Sequence, residues 1–185
     1  MSASNILQEV YQAHIDHFGE PDDSWTFDDG KESAIYPNRI DVFIWSATAE
    51  CDITTFSTIG MSDRKMSGAA HRAELHLGLR LKTEKEDDAL IARFLANLAM
   101  YPFQIGSFID WWHTVSKPGK IPFHTSADCV LFHPRFVSEG WDSIATSSGE
   151  VRILNVIPIT KKEKDLKSRA LIADALSGID VFSPR

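Results

Sequence analysis

Residues 53–66 read ITTFSTIGMSDRKM, a β-branched run that meets a glycine and then a short polar turn. Thr54, Thr55, Ser57, Thr58 and Ile59 suit a pleated, half-buried surface, and Gly60 permits a backbone turn that residues with a Cβ resist. The stretch predicts a strand that ends in a turn. Nothing in it forms a nucleophile–base pair, a metal cage or a phosphate cradle. It is therefore expected to present a loop to a neighbour, with Met61, Asp63, Arg64 and Met66 as candidate binding residues.

Working outward, Ile40–Trp45 (IDVFIW) is a near-continuous apolar run that predicts a strand buried on both faces, joined to residues 53–59 as a hairpin or meander. Downstream, Leu75, Leu77, Leu79 and Leu81 alternate with Glu74, His76, Gly78 and Arg80, the pattern of a strand over 74–81 with one wet face that includes His76. Ala127–His133 and Val151–Ile159 predict two further strands, with Pro158 near a strand end or an edge. Residues 139–150 read as a loop.

Helical periodicity marks three segments. Ile6, Leu7, Val10, Tyr11, His14, Ile15 and Phe18 share a stripe over residues 4–18, with Ser4 or Asn5 as cap and Gly19 as stop. His14 falls on that stripe, which makes it a core residue rather than a metal ligand with His17. Thr83–Glu86 and Thr160–Glu163 both fit capping boxes. The first opens a helix that Tyr101-Pro102 should end, and the second opens one that Gly178 should stop. Residues 103–123 form the longest irregular stretch and hold Trp111, Trp112 and His113, with one tryptophan expected in the core and the other outside. The fold class is α+β, a mixed β-sheet flanked by helices in a single domain over 1–185, with 1–32 a helix plus acidic arm and 178–185 a loose tail.

At 185 residues the chain supports one substantial core, and it lacks the roughly 20 consecutive apolar residues of a membrane span. The N-terminus MSASNILQEV has no basic segment followed by an apolar one, so the expected compartment is the cytoplasm. The net charge of −7 sits at one end: residues 1–32 hold eight acids against Lys31 alone, and residues 33–185 hold eighteen charges of each sign. Such a face excludes nucleic acid as a natural partner and favours a basic protein. Asp22 and Asp23, with Trp25 as an aromatic anchor, are the candidate contacts there, on a segment that reads as an edge strand or a mobile arm.

Chemistry is hard to find. The chain has no Walker loop and no G-x-G-x-x-G, and Ser62 lacks the small neighbours of a nucleophile elbow. A thiol or hydrolase site would have to draw on Cys129, His113, His133 or Asp128. Cys129 lies in an apolar run that disfavours a thiolate. Asp63, Arg64 and Asp128 suggest a polar cluster that reads best as a turn-stabilising ion pair. With two cysteines far apart, neither a disulfide framework nor a metal site is expected.

The order of segments resembles the suppressor of fused domain family. The matching residues are Tyr36-Pro37 before Asp41-Val42, the run from Thr58 to Met66 leading into Arg72–Leu75, Tyr101-Pro102, His113–Val115, and Val151–Leu154 through Pro158–Thr160 to Glu163. The resemblance implies an α+β fold with no catalytic activity and no cofactor. In animal relatives the domain looks like the N-terminal half of a larger protein that clamps a short peptide of a zinc-finger transcription factor between two halves. Here the second half is absent, and Lys65 stands where those relatives carry a tyrosine. Stand-alone bacterial relatives are thought to act as immunity proteins that neutralise toxins. The resemblance therefore implies a protein partner, either a basic toxin domain or a regulatory peptide lodged at a sheet edge.

Overall fold

A computed structural model describes residues 5–28, 30, 32–135, 141–166, 169–177 and 179–184. Eight strands form one mixed sheet: β1 (Asp23–Asp28), β2 (Arg39–Trp45), β3 (Thr54–Ile59), β4 (Arg72–Leu79), β5 (Thr114–Ser116), β6 (Cys129–His133), β7 (Ser143–Thr146) and β8 (Gly149–Ile159). Their order across the sheet is β1-β2-β3-β4-β8-β6-β5, with β7 paired to the first part of β8. The first four strands form an antiparallel meander, as the short connection between β2 and β3 implied. Among the described strands only β4 and β8 pair in parallel, and a long crossover between them carries the helix α2 (Lys85–Gln104).

Strand alternation divides the core in two. Ile40, Val42 and Ile44 of β2, Leu75, Leu77 and Leu79 of β4, and Leu154 and Val156 of β8 point to one face, where Ile91, Leu95 and Leu98 of α2 cover them. On the opposite face Ile6 and Val10 of α1 (Asn5–Phe18) pack on Ile59, Val151 and Ile153. Farther along that face, Ile172 and Leu176 of α4 (Arg169–Leu176) pack on Cys129, Leu131, Ile157 and Ile159. The short α3 (Lys161–Lys164) precedes α4 and is opened by the expected capping box between Thr160 and Glu163.

Several expectations need correction. The polar face of β4 is not wet, because α1 lies across it: Glu74 and His76 are both buried. The strand also begins two residues earlier than expected and ends at Leu79. Pro102 does not end α2, which continues to Gln104; proline this close to a helix end removes one hydrogen bond in a turn that is already losing its partners. The helix stops where Gly106 adopts φ 62° and Ser107 N–H bonds back to Pro102 O at 3.0 Å. Its cap is Glu84, paired with Asp87, one residue beyond the expected Thr83. Residues 143–146, read as loop, form β7, and residues 114–116 of the irregular stretch form β5. Of the two readings of the acidic segment, edge strand or mobile arm, the structure shows the first, as β1. Residues 179–184, expected as a loose tail, fold back on β4, where Arg80 N–H bonds Phe182 O at 2.6 Å. Ser4, Asp29, Glu139, Gly140 and Gly178 lie outside the described residues.

Candidate functional site

The turn after β3 is organised by a buried carboxylate. Gly60 has φ 136°, and a Cβ there would stand 2.2 Å from Arg39 O, so the position admits only glycine. Glu74, completely buried on β4, accepts hydrogen bonds from Gly60 N (2.9 Å), Ser62 N (3.0 Å), Ser62 Oγ (2.6 Å) and Thr58 Oγ1 (2.7 Å). Burial raises its pKa from 4.5 to about 7, against the opposing pull of those four donors. Arg72 Nη1 donates to Ser62 O at 2.7 Å and closes the turn from the other side. Met61 and Met66 point into the core and are 1% and 3% exposed, so neither can serve as a contact residue on the surface of this conformation. Asp63 and Arg64 remain at the surface as an ion pair of 2.6 Å, and Arg64 also donates to Ser33 O. Asp128 is elsewhere, beside Cys129 at the start of β6, so the expected three-residue polar cluster reduces to the Asp63–Arg64 pair.

Trp111, Trp112 and His113 occupy a tight turn bonded to β6: Trp112 N donates to Phe132 O (2.5 Å) and Phe132 N to His113 O (3.0 Å). Both tryptophans are half-buried, where one was expected in the core and the other outside. Trp111 donates Nε1–H to Ile153 O at 3.0 Å, and the Arg152 guanidinium lies 4.4 Å over its ring. Trp112 takes φ 70° and packs edge-on against His133. Arg152 Nη1 donates to both carboxylate oxygens of Asp110, at 2.7 and 2.9 Å, and holds its carboxyl below the usual range against the opposing effect of burial, with His71 3.7 Å away. Through His71 and Arg72 this turn and the turn after β3 meet at the end of the sheet where β4 and β8 begin.

The acidic residues lie apart from those turns. Asp22 and Asp23 stand exposed at the start of β1, opposite Ile44 at the far end of β2. Asp22 accepts from Ser46 N at 2.7 Å, and Asp23 lies 4.0 Å from Lys85. Trp25 is not an outward anchor: it packs on the α2 face, with its Nε1 buried and without a partner.

The thiol arrangement does not assemble. Cys129 begins β6 and His133 ends it, which places them roughly 13 Å apart along an extended strand. His113 joins the His133 end through its bond to Phe132 and packs against Phe108. Burial pushes the Cys129 thiol up, away from the thiolate a nucleophile needs. Among the described residues no three His, Cys, Asp or Glu side chains group as metal ligands would.

Sequence reasoning missed a buried aromatic and imidazole cluster under α1. His14 Nδ1 lies 2.7 Å from Val10 O, which can only accept, so Nδ1 carries the proton. Its Nε2 is then an acceptor, 2.7 Å from Ser57 Oγ and 3.3 Å from His76 Nε2. Burial holds His14 down to about 4 and His76 well below its ordinary value. Trp45, Trp141, Phe18 and His17 close around the pair. Beyond it, a cleft of about 190 Å³ opens on the same sheet face, toward the C-terminal residues. The signal was present in part, since His14 lies on the apolar stripe of its helix.

The family model described as suppressor of fused protein matches residues 36–182. A crystallised suppressor of fused homolog from Neisseria gonorrhoeae superposes with a TM-score of 0.64 at 14% identity, covering 99% of this chain and 96% of that one. The structure of a Sufu–Fu complex matches at 0.54 and 15% identity over 85% of this chain and 75% of that one. Drosophila Suppressor of Fused matches at 0.53 and 13% identity over 86% of this chain, which spans 42% of the fly protein's chain. At these identities the likeness is one of fold. No curated protein sequence matches.

Proposed function

This chain belongs to the suppressor of fused family, and we propose that it works by binding another protein and performs no catalysis. A relative of the same fold is known in a Sufu–Fu complex, which supports a protein partner in general terms. The observation that carries the proposal for this chain is the acidic edge of the sheet. Among the described strands β1 pairs with β2 alone, and Glu20, Asp22, Asp23 and Asp28 are exposed on it and beside it. An open strand edge offers main-chain donors and acceptors, and its acids steer a basic surface toward them. The partner that fits is a basic protein domain, and an immunity protein bound to a toxin domain is the biological form we favour.

Affinity capture from native lysate, followed by stopped-flow measurement with the captured partner, tests this. Converting Asp22, Asp23, Asp28 and Asp29 to lysine is expected to slow association at least tenfold at low salt and to flatten its salt dependence. An unchanged association rate removes the acidic edge from the interface.

A further inference from the structure

The sheet face beneath α1 and α4 is covered only in part. Beside α1 a cleft lies over Thr55, His76, Gly78 and Asn155, lined from the α1 side by Phe18 and Trp141 and from the C-terminal side by Phe182. Phe182 occupies a place built for it. Gly78 lies inside β4 without a positive φ, so its backbone does not require glycine. What requires it is the Phe182 ring: a Cβ at position 78 would stand 2.8 and 2.9 Å from two ring carbons, and 3.1 Å from Ile53 Cγ2. Glycine inside a strand weakens it and marks close approach by another group.

Two more contacts fix the register of the segment on the strand. Phe182 O accepts from Arg80 N at 2.6 Å, and Asp180 Oδ2 accepts from Arg80 Nε at 2.6 Å. Asp52 holds a second nitrogen of the same guanidinium. The bound segment is an acid, then Val181, which packs with Ile179 on the cluster of Leu131, Ile157 and Ile159, then phenylalanine. The clasp is exchangeable, because Arg80 and Asp180 are 38% and 40% exposed in their side chains and such ion pairs hold weakly in water. The ring also leaves open the remainder of the cleft toward Trp141.

We propose that this cleft is a peptide-binding site for a partner segment with an acidic residue two positions before a phenylalanine, in which the chain's own Asp180–Phe182 sits as an internal competitor. The chemistry of the occupant follows from the segment already bound there. Tethering raises the local concentration of that segment, so a partner reaches full affinity only when the tail is displaced. The site lies on a sheet face, away from the β1 edge, and its test is independent of the one for the acidic edge.

The probe is a fluorescein-labelled peptide of residues 178–185, GIDVFSPR, titrated by anisotropy against the full chain and a full-length Asp180→Ala, Phe182→Ala double variant. Saturable binding to the double variant, at least tenfold tighter than to the unmodified chain, is expected. Adding Gly78→Val to the double variant should abolish it, as should replacing the peptide's phenylalanine with alanine. Should the double variant fold poorly, Asp180→Asn alone loosens the clasp while keeping the ring, and a gain of at least threefold is expected. The proposal is overturned if a variant with native circular dichroism fails to bind the peptide, binds it no better than the unmodified chain, or binds it equally with valine at position 78.

Discussion

Replacing Glu74 with glutamine keeps the shape of the side chain and its acceptor for Gly60 and Ser62, but removes the buried ionisable carboxyl at the centre of the turn after β3. The carboxyl titrates near 4.5 when unfolded and near 7 in the fold, where burial disfavours the charge. Between those values the folded chain keeps a proton that the unfolded chain has released. The contribution to stability is therefore full below pH 4.5 and is lost as the pH rises through 7. At about 1.4 kcal/mol per tenfold shift, lowering the pH from 8 to 5 adds roughly 2.5 kcal/mol that glutamine cannot supply. For a chain of this length that corresponds to roughly 5 to 10 °C in Tm. Urea unfolding followed by far-ultraviolet circular dichroism at pH 5, 6, 7 and 8 measures it. Taking the difference between the two proteins cancels the histidines, which titrate in both. A difference that stays constant across the range would refute the assignment. Glu74→Ala should be worse at every pH, by roughly 4 kcal/mol, because two fixed backbone N–H groups lose their acceptor at about 1–3 kcal/mol each and the two hydroxyls must find new ones.

Gly60→Ala places its methyl against the main-chain Arg39 O at a φ that alanine resists, so a loss of at least about 3 kcal/mol is expected in the same unfolding assay. The depressed pKa values of His14 and His76 act in the opposite sense to Glu74: their contribution is full above about 6.5 and is lost as the pH falls toward 4. In the Glu74→Gln background stability should drop by at least about 2 kcal/mol between pH 8 and 5. Adding His14→Gln should flatten that drop, and hydrogen exchange should show the amides of α1 opening first. A maleimide probe should label the exposed Cys51 and spare Cys129, which is 2% exposed; equal labelling of both in folded protein would contradict the packing of β6.

The strands that were legible in the sequence are those whose local pattern and final environment agree. β2, β6 and β8 are largely apolar in sequence, and their buried residues join the α2-side cluster, while β6 and β8 on the other face, with Phe43 of β2 half-buried beside them, pack under α1 or α4. The strand β4 misled because alternation reports only that two faces differ in polarity. Whether the polar face meets water depends on where a helix from another part of the chain comes to rest, and here α1 crosses it. The histidines make that burial tolerable by staying neutral and bonding each other, which no periodicity encodes. β7 is four residues long and exists because β8 supplies its partner; nothing in its own composition separates it from a loop. Phe182 is similar, since its meeting with Gly78 spans more than a hundred residues of chain.

The candidate site was less legible, and the turn after β3 explains why. A segment with so particular a sequence suggests a surface shaped for a partner, yet nearly every residue in it answers to an internal neighbour. Gly60 must clear Arg39 O, Met61 and Met66 fill the α2 side of the core, and Ser62 satisfies Glu74 through both its amide and its hydroxyl. Each of these demands fixes one residue type, so a distinctive motif results from closing the fold, before any partner is considered. The proposed binding edge is constrained differently: β1 needs exposed negative charge and an unpaired backbone for it, which many sequences supply, so its composition looks ordinary. Of the turn residues Lys65 stands exposed, while the half-buried Asp63 and Arg64 neutralise each other at 2.6 Å. A partner that engages them must first break that pair, whereas the acids of β1 stand exposed and add their fields together. On the proposal that β1 meets the partner, the long-range attraction that begins an encounter originates at this weakly patterned edge and not at the strongly patterned turn.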